Sequence, residues 1–100
     1  MTKNPAFEKF KEEFPDVFIN FSELYKNVSS TLDEKTKQLV YLGILTAMRY
    51  APAVRVHCRL ALEAGATREE IKEAIMLAIP AGGLCNFLDV FEDAMYELNI

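Results

Sequence analysis

Hydrophobic residues recur along this chain at intervals of three and four, the spacing that gathers them on one side of a helix. Phe7, Phe10 and Phe14 stand at i, i+3 and i+7 with Glu and Lys between them, until Pro15 interrupts the pattern. Phe18, Phe21, Tyr25 and Val28 resume it, and it fades into "NVSSTLDEK", where Thr31 and Asp33 are candidate N-caps. The next helix is expected over roughly Glu34 to Tyr50. Its first turn is polar, but it then reads "LVYLGILTAM", apolar on nearly every side, which suits the centre of a fold or of an interface. Pro52 ends it and can open its successor. That successor closes at Gly65, a residue able to take the left-handed conformation that terminates helices. Thr67 and Glu70 form a T-x-x-E capping box for a further helix carrying Ile71, Ala74, Ile75 and Ala78 on one stripe. After a break at Gly82-Gly83, the last helix sets Leu84, Phe87, Leu88, Phe91, Met95 and Leu98 on one face. Asp89, Glu92, Asp93 and Glu97 take the other. No segment alternates with period two for long enough to be a strand, so the prediction is an all-α protein of five or six helices.

At 100 residues the chain has room for a single domain, 1–100. Hydrophobic residues make up 51% of it, more than so small a core needs, so part of the apolar surface is expected to be buried between subunits of a homo-oligomer. The net charge of −4 offers no clustered cations for phosphates, which argues against nucleic acid as a partner. No apolar run approaches the ~18 residues of a membrane span. The opening "MTKNPAFEKFKEEF" lacks the apolar core of a signal peptide, so the expected setting is cytoplasmic. Two cysteines 27 positions apart and a lone histidine make neither a disulfide framework nor a Cys/His zinc module, so no metal is expected.

That histidine, His57, is the first candidate for chemistry. Arg55, Arg59 and Glu63 repeat every four residues and mark the expected wet stripe of their helix. His57 falls about 160–200° from the two arginines, at ~100° per residue. Ala53, Val54, Ala61 and Ala64 surround it, small enough to leave room beside an imidazole. It can be a core histidine bonded to a backbone carbonyl, or a proton carrier in a pocket. Cys58 reads as a small buried hydrophobe. Cys85, in the first turn of the last helix, sits where backbone N–H groups can activate a thiol. Arg49, Arg55 and Arg59 can clamp a carboxylate or can belong to a solvated face with an Arg59–Glu63 pair.

The segments "LDEKTKQLVYLGILTAMRY" and "HCRLALEAGATREEIKEAIMLAIPAGG" resemble the carboxymuconolactone decarboxylase and alkylhydroperoxidase-D superfamily. The resemblance runs from about Leu32 to the C-terminus, so 31–100 is taken as the family core and 1–30 as a helical N-terminal extension. It implies a helical domain assembling into trimers or hexamers and working without a cofactor. The peroxidase branch carries a Cys-x-x-Cys seven and four residues before the histidine and a glutamate nineteen before it. Here those positions hold Tyr50, Ala53 and Gln38. The decarboxylase branch lacks the cysteine pair and keeps the histidine. The resemblance therefore implies acid–base chemistry, decarboxylation or a related step, on a small organic acid or lactone. His57 would be its proton carrier, with Gln38, Tyr50 and Arg49 binding the substrate. Two alternatives stand beside it: a divergent thiol peroxidase using Cys85 or Cys58, and a non-catalytic small-molecule-binding or structural oligomer.

Overall fold

A computed structural model describes residues 2–99, and the described residues contain helices and no strand. The helices are α1 (Pro5–Glu13), α2 (Pro15–Val28), α3 (Glu34–Ala47), α4 (Ala51–Glu63), α5 (Arg68–Met76), α6 (Ala78–Gly82) and α7 (Leu84–Leu98). Counting α5 and the single-turn α6 as one broken helix gives six. None is long and apolar enough to cross a membrane.

Local chemistry sets most boundaries. Asn4 caps α1, its Oδ1 accepting from the N–H groups of Ala6 and Phe7, and Pro5 and Pro15 stand at the first positions of α1 and α2. Of the two candidate caps before α3, Asp33 does the work, accepting from Thr36 N at 2.7 Å. The capping box at Thr67 and Glu70 forms with both of its hydrogen bonds. Gly65 closes α4 with φ 96°. Its N–H reaches Leu62 O, while Ala66 N–H reaches Ala61 O, the paired bonds of a Schellman motif.

Two boundaries depart from expectation. α3 stops three residues short of Tyr50, in a second Schellman turn: Arg49 N–H bonds Thr46 O and Tyr50 N–H bonds Leu45 O. Arg49 occupies the left-handed position at φ 65° where glycine is usual. The helix after Gly65 is also broken, at Leu77. Pro80 has no N–H to offer Met76 O, and its ring crowds that carbonyl, so the chain restarts as α6.

The core lies where α3, α4, α5 and α7 meet, built from Leu42, Val54, Cys58, Ala61, Ile71, Ile75, Val90, Ala94 and Leu98, all essentially unexposed. Gly82 lets α6 approach the end of α3; a Cβ there would lie 2.9 Å from Ala47 Cβ. Asn86 bridges the same junction, donating to Ala47 O and Gly82 O. The α1–α2 hairpin lies outside this core. It buries no residue fully and is held together by Phe7 packing edge-on against Phe18 and Phe21.

The wet face expected for α7 holds at Asp89 and Glu92, which are exposed, but not at Glu97. Glu97 is 1% exposed, its carboxylate accepting from Arg55 Nε at 2.8 Å and from Thr2 Oγ1 at 2.8 Å. Arg59 Nη1 donates to Glu97 O, and Arg55 also approaches Asp93 at 3.6 Å. The arginine stripe of α4 thus packs against the acidic stripe of α7, because complementary charges let two polar faces dock. Conversely, Leu84 and Leu88, placed on the apolar face, are more than half exposed.

Candidate functional site

His57 sits on α4 one position before the core residue Cys58, so its ring leaves the helix at the core's edge and is half-buried. Across from it, Gln38 on α3 is 2% exposed and presents Oε1 2.6 Å from His57 Nδ1. Three residues further along α3, Tyr41 stacks on the imidazole with centroids 4.3 Å apart and planes 17° from parallel. Tyr25 of α2 lies beyond Tyr41 at 6.0 Å, continuing the stack outward. One turn before Gln38, Glu34 accepts from Gln38 Nε2 at 3.3 Å and holds Lys37 Nζ at 2.7 Å. Lys37 Nζ in turn lies 5.6 Å from the Tyr25 ring centre.

Hydrogen-bond roles follow from this chain. Because Gln38 spends its N–H₂ on the Glu34 carboxylate, its carbonyl oxygen faces His57, so Nδ1 must be the donor. In the neutral ring Nε2 then carries the lone pair. No hydrogen bond to Nε2 occurs among the described residues, yet none of their buried side-chain nitrogens or oxygens lacks a partner. Nε2 is therefore the end of the ring that reaches solvent. Burial holds the His57 pKa below the ordinary imidazole value, opposed in part by the Glu34 charge. Burial likewise raises the Tyr41 phenol, with Tyr25 adding to it. The neutral ring is a base with an available nitrogen.

The other expected site residues are engaged elsewhere. Tyr50 is the N-cap residue of α4, is exposed, and its hydroxyl accepts from Asn4 Nδ2 at 3.1 Å. Arg49 pairs with Asp89 on α7 at 3.0 Å. With Arg55 and Arg59 committed to Glu97, each of the three arginines expected to clamp a carboxylate instead holds a group on α7. Cys58 is fully buried, and burial pushes its thiol up to about 12, which disfavours the thiolate at neutral pH. Cys85 is exposed at the second position of α7, and both cysteines are free. Two open grooves of about 420 and 450 Å³ lie beside Arg55 and Asp93 and between α3 and α5, and His57 lines neither. The small residues around His57 do not leave one side of the ring open: Tyr41 covers it. Among the described residues no three His, Cys, Asp or Glu side chains converge as a metal would require.

Glu34, Tyr41 and Tyr25 were not among the expected site residues. The first two could have been found from Gln38 itself, since i−4 and i+3 share its helix face. Tyr25 depends on where the α1–α2 hairpin folds, for which the sequence carries no comparable signal.

Residues 12–94 match the model of the carboxymuconolactone decarboxylase family, and the chain belongs to that family. The match takes in all of α2, upstream of the Leu32 at which the motif resemblance begins. The chain is also similar to a Methanocaldococcus jannaschii protein described as "Uncharacterized protein MJ1511", at 30% identity over 89 residues. That alignment spans 87% of this chain and 83% of the relative.

Proposed function

We propose that this protein performs acid–base chemistry on a small organic acid or lactone, decarboxylation or a related step, with His57 as the proton carrier. The observation that carries this reading is the division of labour on one ring: Nδ1 tied to Gln38, and Nε2 left without a partner toward solvent. A substrate carboxylate drawn beside the ring would favour the imidazolium, so the site takes up a proton as it binds an acid. Loss of CO₂ breaks the bond to the carboxyl carbon and sends its electron pair into the conjugated carbonyl. His57 Nε2–H then protonates the resulting dienolate carbon, and solvent returns the proton to the ring. Gln38 Oε1 accepts from Nδ1–H in both states, so the ring keeps its orientation throughout the cycle. Cofactor-free chemistry of this kind needs no thiol, consistent with a buried Cys58.

The assay is turnover of carboxymuconolactone and related lactone acids, followed by CO₂ release. His57→Ala should lower kcat/KM at least about a hundredfold, the low end of a general acid–base contribution, while leaving the helical content unchanged. Equal turnover by the variant would refute the reading, as would the absence of turnover in the wild type across such acids.

The working form is a homo-oligomer, a trimer or hexamer. Support comes from apolar side chains left in solvent on α2 (Val17, Ile19, Leu24, Val28) and on α3 (Val40, Ile44), each at least half exposed.

A further inference from the structure

We propose that Glu34 is a positioning residue for His57: acting through the Gln38 amide, its carboxylate selects which ring nitrogen bears the proton. The inference rests on the acid–base reading above and deepens it. A primary amide has one donating and one accepting end, and Gln38 spans two neighbours that make opposite demands. Glu34 Oε1, 3.3 Å from Gln38 Nε2, can only accept. Turning the amide over would set its oxygen against that carboxylate, two acceptors facing one another with no proton between them. Glu34 therefore holds the amide in the orientation that offers Oε1 to the ring, and the 2.6 Å approach of Nδ1 requires a proton there. Nε2 is left bare.

The carboxylate divides its own oxygens between two tasks. Oε2 is paired with Lys37 Nζ at 2.7 Å, while Oε1 receives the Gln38 amide. Lys37 anchors the carboxylate beside α3 without taking the oxygen that Gln38 uses. Glu34 stands at the first position of α3, where its side chain is 59% exposed. Its position makes it easy to miss as part of a site, and easy to replace without disturbing the core. A glutamate at position 38 would touch the ring directly and draw charge onto it. The amide instead passes on the direction of the hydrogen bond while keeping the full charge one residue further away. The site thereby gains a fixed tautomer and keeps a ring that is neutral at rest.

His57 is the only histidine, so its ring nitrogens are the only imidazole ¹⁵N signals in a labelled protein. Long-range ¹H–¹⁵N spectra of the substrate-free wild type above the ring's pKa should show the proton on Nδ1. In Glu34→Gln and Glu34→Ala the share of the Nε2–H form should rise several-fold, and Gln38→Leu should produce the same change. Lys37→Met should leave the tautomer as it is. A wild-type ring protonated on Nε2 would overturn the proposal, and so would Glu34 variants whose ring ¹⁵N shifts match the wild type. Glu34→Gln keeps the size and exposure of the side chain, so a folded sample is available even if Glu34→Ala loses stability. Because the readout needs no substrate, failure of the lactone acids to turn over would leave this inference standing, and an unchanged tautomer would leave the His57 reading standing.

Discussion

Replacing Gln38 by glutamate puts a charge where the structure now has an amide, and the consequence for His57 can be worked out. The acceptor oxygen at this position lies 2.6 Å from Nδ1. With charge centres about 4 Å apart and an effective dielectric of about 20, the attraction between carboxylate and imidazolium is about 4 kcal/mol. Two effects reduce it. Position 38 is 2% exposed, so a carboxylate there loses hydration. Glu34, now 3.3 Å from the amide, would present a like charge to it. A net preference of about 1–3 kcal/mol for the charged ring remains, enough to carry the His57 pKa from below the ordinary imidazole value to above it. The assay is an NMR titration of the single histidine in Gln38→Glu against the wild type. The pH dependence of stability should invert as well. A raised folded pKa contributes stability that is complete below the unfolded value and is lost as pH climbs through the folded one. In activity, the limb of the pH profile that reports His57 should move to higher pH. A ring that still titrates below the ordinary value in Gln38→Glu would refute the reasoning. It would mean that the new carboxyl keeps its own proton or that position 38 does not face the imidazole.

In the wild type, burial lowers the His57 pKa, so the unfolded chain binds a proton more readily than the folded one. The stability at stake is intact above the unfolded value and is lost as pH falls through the folded value. Urea midpoints measured from pH 7.5 down to about 5 should therefore decline more steeply for wild type than for His57→Gln. The ion pair at the other side of α4 should respond unequally to truncation. Arg55→Ala strands a carboxylate that is 1% exposed with only Thr2 as a partner. The ~3–5 kcal/mol of a broken buried pair, discounted because Arg55 is about one-third exposed, becomes about 2–3 kcal/mol. Glu97→Gln leaves a neutral amide and an arginine that water and Asp93 can still serve, and should cost about 1 kcal/mol or less. Equal losses in the two urea curves would contradict this asymmetry.

What could be read in advance followed from residues whose local chemistry has one outcome. Gly65 ends a helix because a left-handed residue is needed there, and Thr67 with Glu70 caps the next one. The same Schellman turn at Arg49 was hidden because an arginine fills the glycine position. The break at Leu77 was signalled by Pro80 but masked by the apolar stripe that runs through it. Most obscure was Glu97. Helical spacing places it on a polar face, and nothing in α7 itself reveals that a second polar face, 42 residues earlier at Arg55, docks upon it. His57 stood out as the lone histidine on its helix. Gln38 followed only from the family resemblance, which has a glutamate nineteen residues before the histidine, and Glu34 and Tyr41 lie one helical turn from Gln38.

The two sides of α4 differ in what they leave free for the proposed chemistry. Arg55 and His57 lie on one helix and face apart, with the sealed core at Cys58 adjoining the histidine. On the arginine side each charge is consumed: both Glu97 oxygens have donors, its carbonyl has Arg59, and the guanidinium lies 4.5 Å from the Tyr96 ring centre. Such a network fixes the two helices together, with its polar groups already paired. On the histidine side the chain of bonds runs from Glu34 through Gln38 to Nδ1 and then stops, leaving one nitrogen of a neutral ring uncommitted. A fold that only needed to hold α3 against α4 could have done so with the apolar residues it has in excess. The ordered chain of polar groups ending at an open nitrogen is the feature that the proposed proton-transfer role would use.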